Sequence, residues 1–222
     1  MLLVLLLSSN RVPSTSADKA EFVAGLQTLC SALAEDIVRN GEGTQHVIKV
    51  SVSGAPSASF ARGLGKAIVN SNLVKCAIAG CDPNVGRIVG AIGSYLSKVP
   101  AAELGGKDYT DGMKVSMGGV VIFGAGAFQL DPQKEKLLSD YMFDRQLYPS
   151  ELPESERLYP RHDKCVEIDV TLGAHLGGST HAAVIGSDLT KEYVEVNADY
   201  RSKSLFIDDL LKVAVLYLDS IL

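Results

Sequence analysis

The 222-residue sequence predicts an α/β fold in which helices cover a mixed sheet. Residues 46–53 and 165–172 alternate apolar and polar side chains, which is the pattern of half-buried strands. Residues 17–39 place apolar side chains at helical spacing and end before Asn40-Gly41, a pair that suits a helix C-cap. A chain of this length favours one domain, or one large piece of a domain, over residues 1–222.

The first half of the chain is predicted to alternate helix and strand. Thr15 and Asp18 form the pattern of a capping box at the start of the long helix. After the strand at 46–53 we expect a helix carrying Phe60, Leu64, Ala67 and Ile68, a short buried strand Val74–Ile78, and a helix that begins at the turn Asp82-Pro83-Asn84.

The second half of the chain is predicted to supply most of the remaining strands. We expect strands within 113–123 and 128–130, a helix from Pro132, a surface excursion over 147–164, the strand at 165–172, strands near 180–186 and 193–197, and a last helix near 205–221. Neither half contains an internal repeat or a low-complexity tract.

An apolar run, Met1–Leu7, opens the sequence. No basic residue precedes it, and it is short for the apolar core of a signal peptide, which has about 7–15 residues. It is also much shorter than the roughly 20 residues that cross a membrane as a helix. We therefore expect neither secretion nor contact with a membrane.

Composition narrows the class of protein. The chain is 46% hydrophobic and 21% charged, which is ordinary for a globular protein. Its net charge of −5, without a basic cluster, gives no reason to expect nucleic acid as a partner. The four cysteines include no C-x-x-C pair and the histidines have no metal-ligand spacing, so we expect reduced thiols, a cytoplasmic location and no metal site.

Glu42 is a candidate ligand-binding residue. It lies between Gly41 and Gly43, on a short connection between the long helix and the first strand, where the backbone can approach a ligand closely. The alternative is a solvated loop charge without a partner. A second glycine-containing loop, 173–179, could cradle a phosphate, but no helical pattern follows it as such sites require.

Two blocks of residues carry a resemblance to a known family. The first block is Gly41-Glu42-Gly43 with Ala67–Ser71, Leu73–Lys75 and Gly80–Arg87, and the second block is Gly186–Ser202. Together they resemble the ornithine acetyltransferase / glutamate N-acetyltransferase family of arginine biosynthesis, whose members are N-terminal-nucleophile enzymes that cleave themselves into two chains. The resemblance covers about residues 2–202 and leaves 203–222 as an additional C-terminal helix.

The resemblance implies both a reaction and substrate-binding residues. Glu42, Asn197 and Ser202 match the Glu, Asn and Thr with which the family binds substrate, and serine keeps the hydroxyl of threonine. The implied reaction moves acetyl from N-acetylornithine to glutamate without a cofactor, with acetyl-coenzyme A as a possible donor in bifunctional members. The implied partner is the family's first, or α, chain, in a hetero-oligomer of α and β chains.

The resemblance also places the catalytic nucleophile outside this sequence. The family has a similar apolar helix where Met1–Leu7 stands, so the resemblance implies that this run starts a core helix. The family's nucleophilic Thr stands well before that helix, whereas the first threonine here, Thr15, follows it. No residue of this chain is therefore assigned as catalytic, and we expect the chain to be the C-terminal part of the second, or β, chain and inactive alone. Other departures are Thr44-Gln45, where the family has Ala-Thr, and Val85, where it has Trp.

Two alternatives remain at this point. The chain could be a non-catalytic binding or partner subunit derived from the same family. It could also be an aminopeptidase among the N-terminal-nucleophile enzymes, although the block Asn197–Tyr200 argues against this. Acetyl transfer from N-acetylornithine to glutamate separates the first interpretation from both alternatives.

Overall fold

The computed structural model describes residues 15–100, 108, 110–148, 163–173 and 178–198. The predicted helices at Met1–Leu7 and 205–221, and also Ser202, lie outside the described residues. The chain divides into two units, Met1–Ile37 and Val38–Leu222.

The first unit consists, in its described part, of most of helix α1, Ser16–Arg39. Its predicted capping box is present, because the Asp18 N–H donates to Thr15 Oγ1 at 3.1 Å and the Thr15 N–H donates to Asp18 Oδ2 at 3.0 Å. The predicted long helix is therefore confirmed. Its large apolar side chains, such as Phe22 and Leu29, are exposed.

The second unit contains a six-stranded mixed sheet. In spatial order its strands are β4 (Ala127–Phe128), β3 (Val120–Gly124), β2 (Lys114–Met117), β5 (Val166–Thr171), β1 (Val47–Ala55) and β6 (Thr180–Ser187). Among the strands that the structure describes, only β1 and β5 pair in parallel, with Val50 opposite Ile168, and the other pairs are antiparallel. The predicted fold class and the strands at 46–53, 165–172 and 180–186 are confirmed.

Helix α2, Ala58–Val69, packs against β1 and β6 and builds the core. Ser57 caps it by accepting from the Phe60 N–H at 3.1 Å. At Gly65 a Cβ atom would lie 2.8 Å from Val184 Cγ2, so this glycine allows the helix to approach β6 closely. The buried side chains Val50 and Val52 of β1 belong to the same hydrophobic cluster.

The predicted starts of two further helices are confirmed. Helix α4, Val85–Leu96, is capped by Asn84 Oδ1, which accepts from the Arg87 N–H at 3.2 Å. Helix α5, Pro132–Asp144, has Asp131 as its N-cap and Pro132 in its first turn. Among the described residues, no helix combines the length and the apolar composition that a membrane crossing requires.

One predicted strand, Val74–Ile78, is wrong, because these residues lie in helix α3, Asn72–Ala79. Ser71 Oγ accepts from the Val74 N–H at 3.5 Å, at the N-cap of this helix. Its buried residues Val74, Ala77 and Ile78 recur at positions i, i+3 and i+4, which is helical spacing. A short apolar run is ambiguous between strand and helix, and the capping serine decides it here.

The predicted strand at 193–197 is also wrong, because it lies in helix α6, Lys191–Ala198. Tyr193, Val194 and Val196 are all exposed, so the apolar alternation does not correspond to a buried sheet face. An ion pair of 3.0 Å between Lys191 and Glu195, one helical turn apart, favours the helix.

We expect Ile168→Ala to lower the free energy of unfolding by about 2–5 kcal/mol, because it opens a cavity in a fully buried position of β5. Urea denaturation of both proteins measures the difference. The matched control is Lys49→Ala on β1, which breaks an exposed 3.4 Å contact with Glu167 and should cost less than about 1 kcal/mol. Equal losses in the two variants would contradict the sheet register.

Candidate functional site

The loop Gly41-Glu42-Gly43 lies against the start of α6. Gly43 has φ +66°, and a Cβ atom there would come within 2.6 Å of the Tyr193 backbone nitrogen. Only glycine meets both conditions without strain, since a side chain would clash with the backbone of the helix. Gly43, which follows Glu42 in the sequence, thus allows a close approach between segments that are far apart in the chain.

The structure brings together two of the three predicted substrate-binding residues. Asn197 Nδ2 donates to Glu42 Oε2 at 3.3 Å, across 155 positions of sequence. Both side chains are exposed, so the pair lies on the surface of this chain. Ser202 lies outside the described residues, and the binding role of all three remains a prediction.

The polarity of the Glu42–Asn197 pair follows from its hydrogen bonds. Besides Glu42 Oε2, Asn197 Nδ2 faces the Tyr193 carbonyl oxygen at 2.8 Å, so two acceptors use its two hydrogens. The remaining groups, Asn197 Oδ1 and the Glu42 carboxylate, can only accept. The pair therefore presents acceptors and a negative charge, which suits an ammonium group better than a carboxylate.

Thr190 connects the loop at Gly43 to α6. Its hydroxyl donates to the Gly43 carbonyl oxygen at 2.6 Å and accepts from the Tyr193 N–H at 3.1 Å. Thr190 is thus the N-cap residue of α6 and a clamp on the glycine loop. Thr190 lies within the second block of the sequence, Gly186–Ser202, but no local sequence pattern assigns it a role.

Asp188 anchors the same two segments from the interior. Its Oδ1 accepts from the Gln45 N–H at 3.1 Å, and its Oδ2 accepts from the His46 N–H at 3.0 Å. The same Oδ2 lies 2.9 Å from His46 Nδ1, and both side chains are fully buried. A buried carboxylate needs such partners, since an unpaired one is costly. This residue too was missed by sequence reasoning, because its partners stand more than 140 positions away.

His46, Asp188 and Cys81 together resemble the order of a catalytic triad. Cys81 Sγ lies 3.8 Å from His46 Nε2. However, Nε2 also faces the Met142 carbonyl oxygen at 3.1 Å, and a carbonyl oxygen only accepts. Nε2 is therefore held nearer to the Met142 carbonyl oxygen than to the thiol, and Nδ1 is held by Asp188, so both ring nitrogens have partners within the fold.

The thiol of Cys81 is also unsuited to nucleophilic attack. Burial raises its pKa, the nearby Asp188 carboxylate raises it further, and a hydrogen bond from Gln146 opposes these effects in part. A reactive cysteine needs a lowered pKa, because the thiolate is the nucleophile. The His46–Asp188 pair is therefore structural.

A groove at the start of α4 is separate from the Glu42–Asn197 pair. It has a volume of about 340 Å³ and is lined by Asp82, Pro83, Asn84, Val85, Gly86, Phe128, Leu130 and Glu135. Val85, the position at which the resembling family has Trp, lines it. Within the described part of the chain, no cluster of three or more His, Cys, Asp or Glu side chains could hold a metal ion.

Comparison with known proteins places this chain in a family. A model described as "ArgJ family" matches residues 3–202. The chain belongs to the ArgJ family. The predicted family is thereby confirmed, and the matched range includes Glu42, Asn197 and Ser202.

Individual ArgJ relatives agree with this assignment. The chain is 34% identical over 199 residues to the arginine biosynthesis bifunctional protein ArgJ of Bifidobacterium longum, covering 90% of this chain and 42% of that protein. It is 36% identical over 195 residues to a glutamate N-acetyltransferase of Methanopyrus kandleri, covering 88% of this chain and 43% of that protein. The chain thus spans less than half the length of these two relatives.

A solved ArgJ structure shares the fold. The crystal structure of the arginine biosynthesis bifunctional protein ArgJ from Bacillus halodurans superposes with a TM-score of 0.62 at 30% identity. The superposition covers 86% of this chain and 74% of the other. The mixed α/β arrangement is therefore that of an ArgJ protein.

We expect Asp188→Asn to lower the free energy of unfolding by about 3 kcal/mol or more, because the amide turns a buried NH₂ group towards backbone N–H donors that the carboxylate accepted from. Urea denaturation measures the loss. The control Glu167→Gln changes a half-exposed carboxylate and should cost less than about 1 kcal/mol. An Asp188→Asn variant as stable as the control would contradict the anchoring role.

We expect Cys81 and Cys165 to react with iodoacetamide more slowly than the exposed Cys30 and Cys76. Burial raises the pKa of both slow thiols, and Glu167 raises that of Cys165 further, so less thiolate is present at a given pH. Their labelling rates should still rise at a pH where an ordinary thiol has levelled off. Peptide mass spectrometry at several pH values measures this, and fastest labelling at Cys81 would indicate an activated nucleophile after all.

Proposed function

We propose that this chain is the amino-acid-binding part of a glutamate N-acetyltransferase / ornithine acetyltransferase of arginine biosynthesis. The observation that carries the proposal is the hydrogen bond between Glu42 and Asn197, which joins residues 155 positions apart within the ArgJ-matched range. Binding of one shared ligand would explain why these two surface side chains lie together. The names of the relatives from Bifidobacterium longum and Methanopyrus kandleri support the same activity.

The proposed ligands are N-acetylornithine and glutamate. Each carries a carboxylate, and both ornithine and glutamate carry an amino group that is an ammonium ion near neutral pH. The acceptors of Glu42 and Asn197 suit that ammonium group through charge-assisted hydrogen bonds. In this proposal the Ser202 hydroxyl contributes a hydrogen bond to the same ligand.

The proposed reaction is a two-step acyl transfer. A threonine hydroxyl attacks the acetyl carbonyl of N-acetylornithine, the C–N bond breaks, and ornithine leaves with a proton on its amine. The glutamate amine, after its ammonium form has lost a proton, then attacks the carbonyl of the acetyl-threonine ester. The C–O bond breaks, a proton returns to the threonine oxygen, and N-acetylglutamate leaves. Glu42 and Asn197 would position the amine rather than form a covalent bond, so the chain holds substrate without supplying the nucleophile.

The partner and compartment belong to the same proposal. The nucleophile's support, an oxyanion hole and a substrate-binding lysine would come from an α chain, so the working enzyme would be a hetero-oligomer of α and β chains. It would use no cofactor, with acetyl-coenzyme A as donor only in bifunctional members, and it would act in the cytoplasm. The alternative of a non-catalytic subunit predicts binding of an amino acid without acetyl transfer in any assembly.

We expect the purified 222 residues to bind N-acetylornithine or glutamate, measured by ligand-detected NMR at millimolar concentration, and to show no acetyl transfer between them. Asn197→Ala should weaken binding by about 5–150-fold, which corresponds to about 1–3 kcal/mol for a hydrogen bond to a charged group. The control Asn72→Ala changes an exposed asparagine at the start of α3 and should leave binding unchanged.

Three outcomes would contradict parts of this proposal. Absence of binding by the unmodified chain would remove the substrate-binding role. Equal effects of Asn197→Ala and Asn72→Ala would place the ligand elsewhere. Turnover at ordinary enzyme rates, typically 1–1,000 per second, would show that the nucleophile lies within these residues.

A further inference from the structure

Thr190 closes a ring of hydrogen bonds around the Glu42–Asn197 pair. Asn197 Nδ2 donates to Glu42 Oε2 and to the Tyr193 carbonyl oxygen. The Tyr193 N–H donates to Thr190 Oγ1, and the Thr190 hydroxyl donates to the Gly43 carbonyl oxygen, one residue from Glu42. Each member of the ring therefore depends on the next.

The pair at the surface does not hold itself in place. Glu42 and Asn197 are exposed, and a single polar contact at the surface contributes little, because water competes for both groups and side-chain freedom is lost. Thr190 is only 8% exposed, and its 2.6 Å bond to Gly43 is the shortest in the ring. Thr190 is therefore the residue that makes the hydrogen-bond ring rigid.

We infer that Thr190 is the positioning residue of the candidate site: its hydroxyl sets the distance between the Glu42 carboxylate and Asn197, and so the affinity for the amino acid. A single hydroxyl achieves this because it donates and accepts at once. A ligand that meets preorganised groups does not have to order them on binding, which increases its affinity. The part of this inference that concerns a ligand rests on the proposed function.

The test compares two variants of the full 222-residue chain. Thr190→Val keeps the shape and removes the hydroxyl, whereas Thr190→Ser keeps the hydroxyl and removes a methyl group. Hydrogen exchange of residues 191–198 and the NMR signal of the Asn197 side-chain amide report on the ring without any ligand. Binding of N-acetylornithine and glutamate reports on the site.

We expect Thr190→Val to raise exchange rates in residues 191–198 by about tenfold, as for a lost helix cap, and to move the Asn197 amide signal towards that of a free side chain. Affinity for the amino acid should fall by about tenfold. Thr190→Ser should restore exchange, amide signal and affinity to within about threefold of the original. Restoration by serine separates the hydroxyl's role from a general loss of packing.

Ser71→Ala supplies the matched control. Ser71 caps α3, which has eight residues like α6, and its hydroxyl makes the same kind of bond to the Val74 N–H. This variant should raise exchange in residues 72–79 and leave both the Asn197 signal and the affinity unchanged. An equal loss of affinity in Ser71→Ala and Thr190→Val would overturn the inference.

The remaining outcomes separate this inference from the proposed function. An unchanged Asn197 amide signal in Thr190→Val would overturn the inference whatever the affinity. If the unmodified chain binds neither amino acid, the proposed function fails. The ligand-free comparison of Thr190→Val with Thr190→Ser then still decides whether the hydroxyl positions the pair.

Discussion

The buried Asp188 carboxylate is the constraint on which the candidate site depends. A carboxylate removed from water must find hydrogen-bond donors, and Asp188 finds them in the backbone of Gln45 and His46 and in the His46 ring. His46 immediately precedes β1, which lies between β5 and β6. The carboxylate therefore holds the segment after β6 against the residues just before β1, an interior strand of the sheet. These contacts determine where the neighbouring residues of both segments lie.

From this anchor, order extends outward to the surface. Asp188 is buried, Thr190 two residues later is also buried, and Asn197 near the end of α6 is exposed. Burial decreases in the same way along the glycine loop, from the buried His46 to the exposed Glu42. Such a gradient suits a binding site, since the acceptors that meet a ligand face solvent while buried backbone contacts determine their positions. The fold thus stabilises a polar pair that could not stabilise itself.

Sequence patterns predicted the elements whose information is local. The capping box at Thr15 and the alternation through β1 and β5 each lie within a few residues, so they could be read directly. The apolar runs at Val74–Ile78 and 193–197 were misread as strands. In both runs a single capping hydroxyl, Ser71 or Thr190, outweighs the β-branched residues that favour a strand.

The sequence by itself determined the α/β class, the long helix, the main strands, the family and the choice of Glu42 and Asn197 as candidates. The tertiary structure alone decided that these two side chains meet and that both amide hydrogens of Asn197 form hydrogen bonds within the protein. It also decided that His46, beside Cys81, is structural. The physical reason is that periodicity and capping act over one or two helical turns. Burial and the pairing of donors with acceptors depend on residues more than 140 positions apart, which only the folded chain brings together.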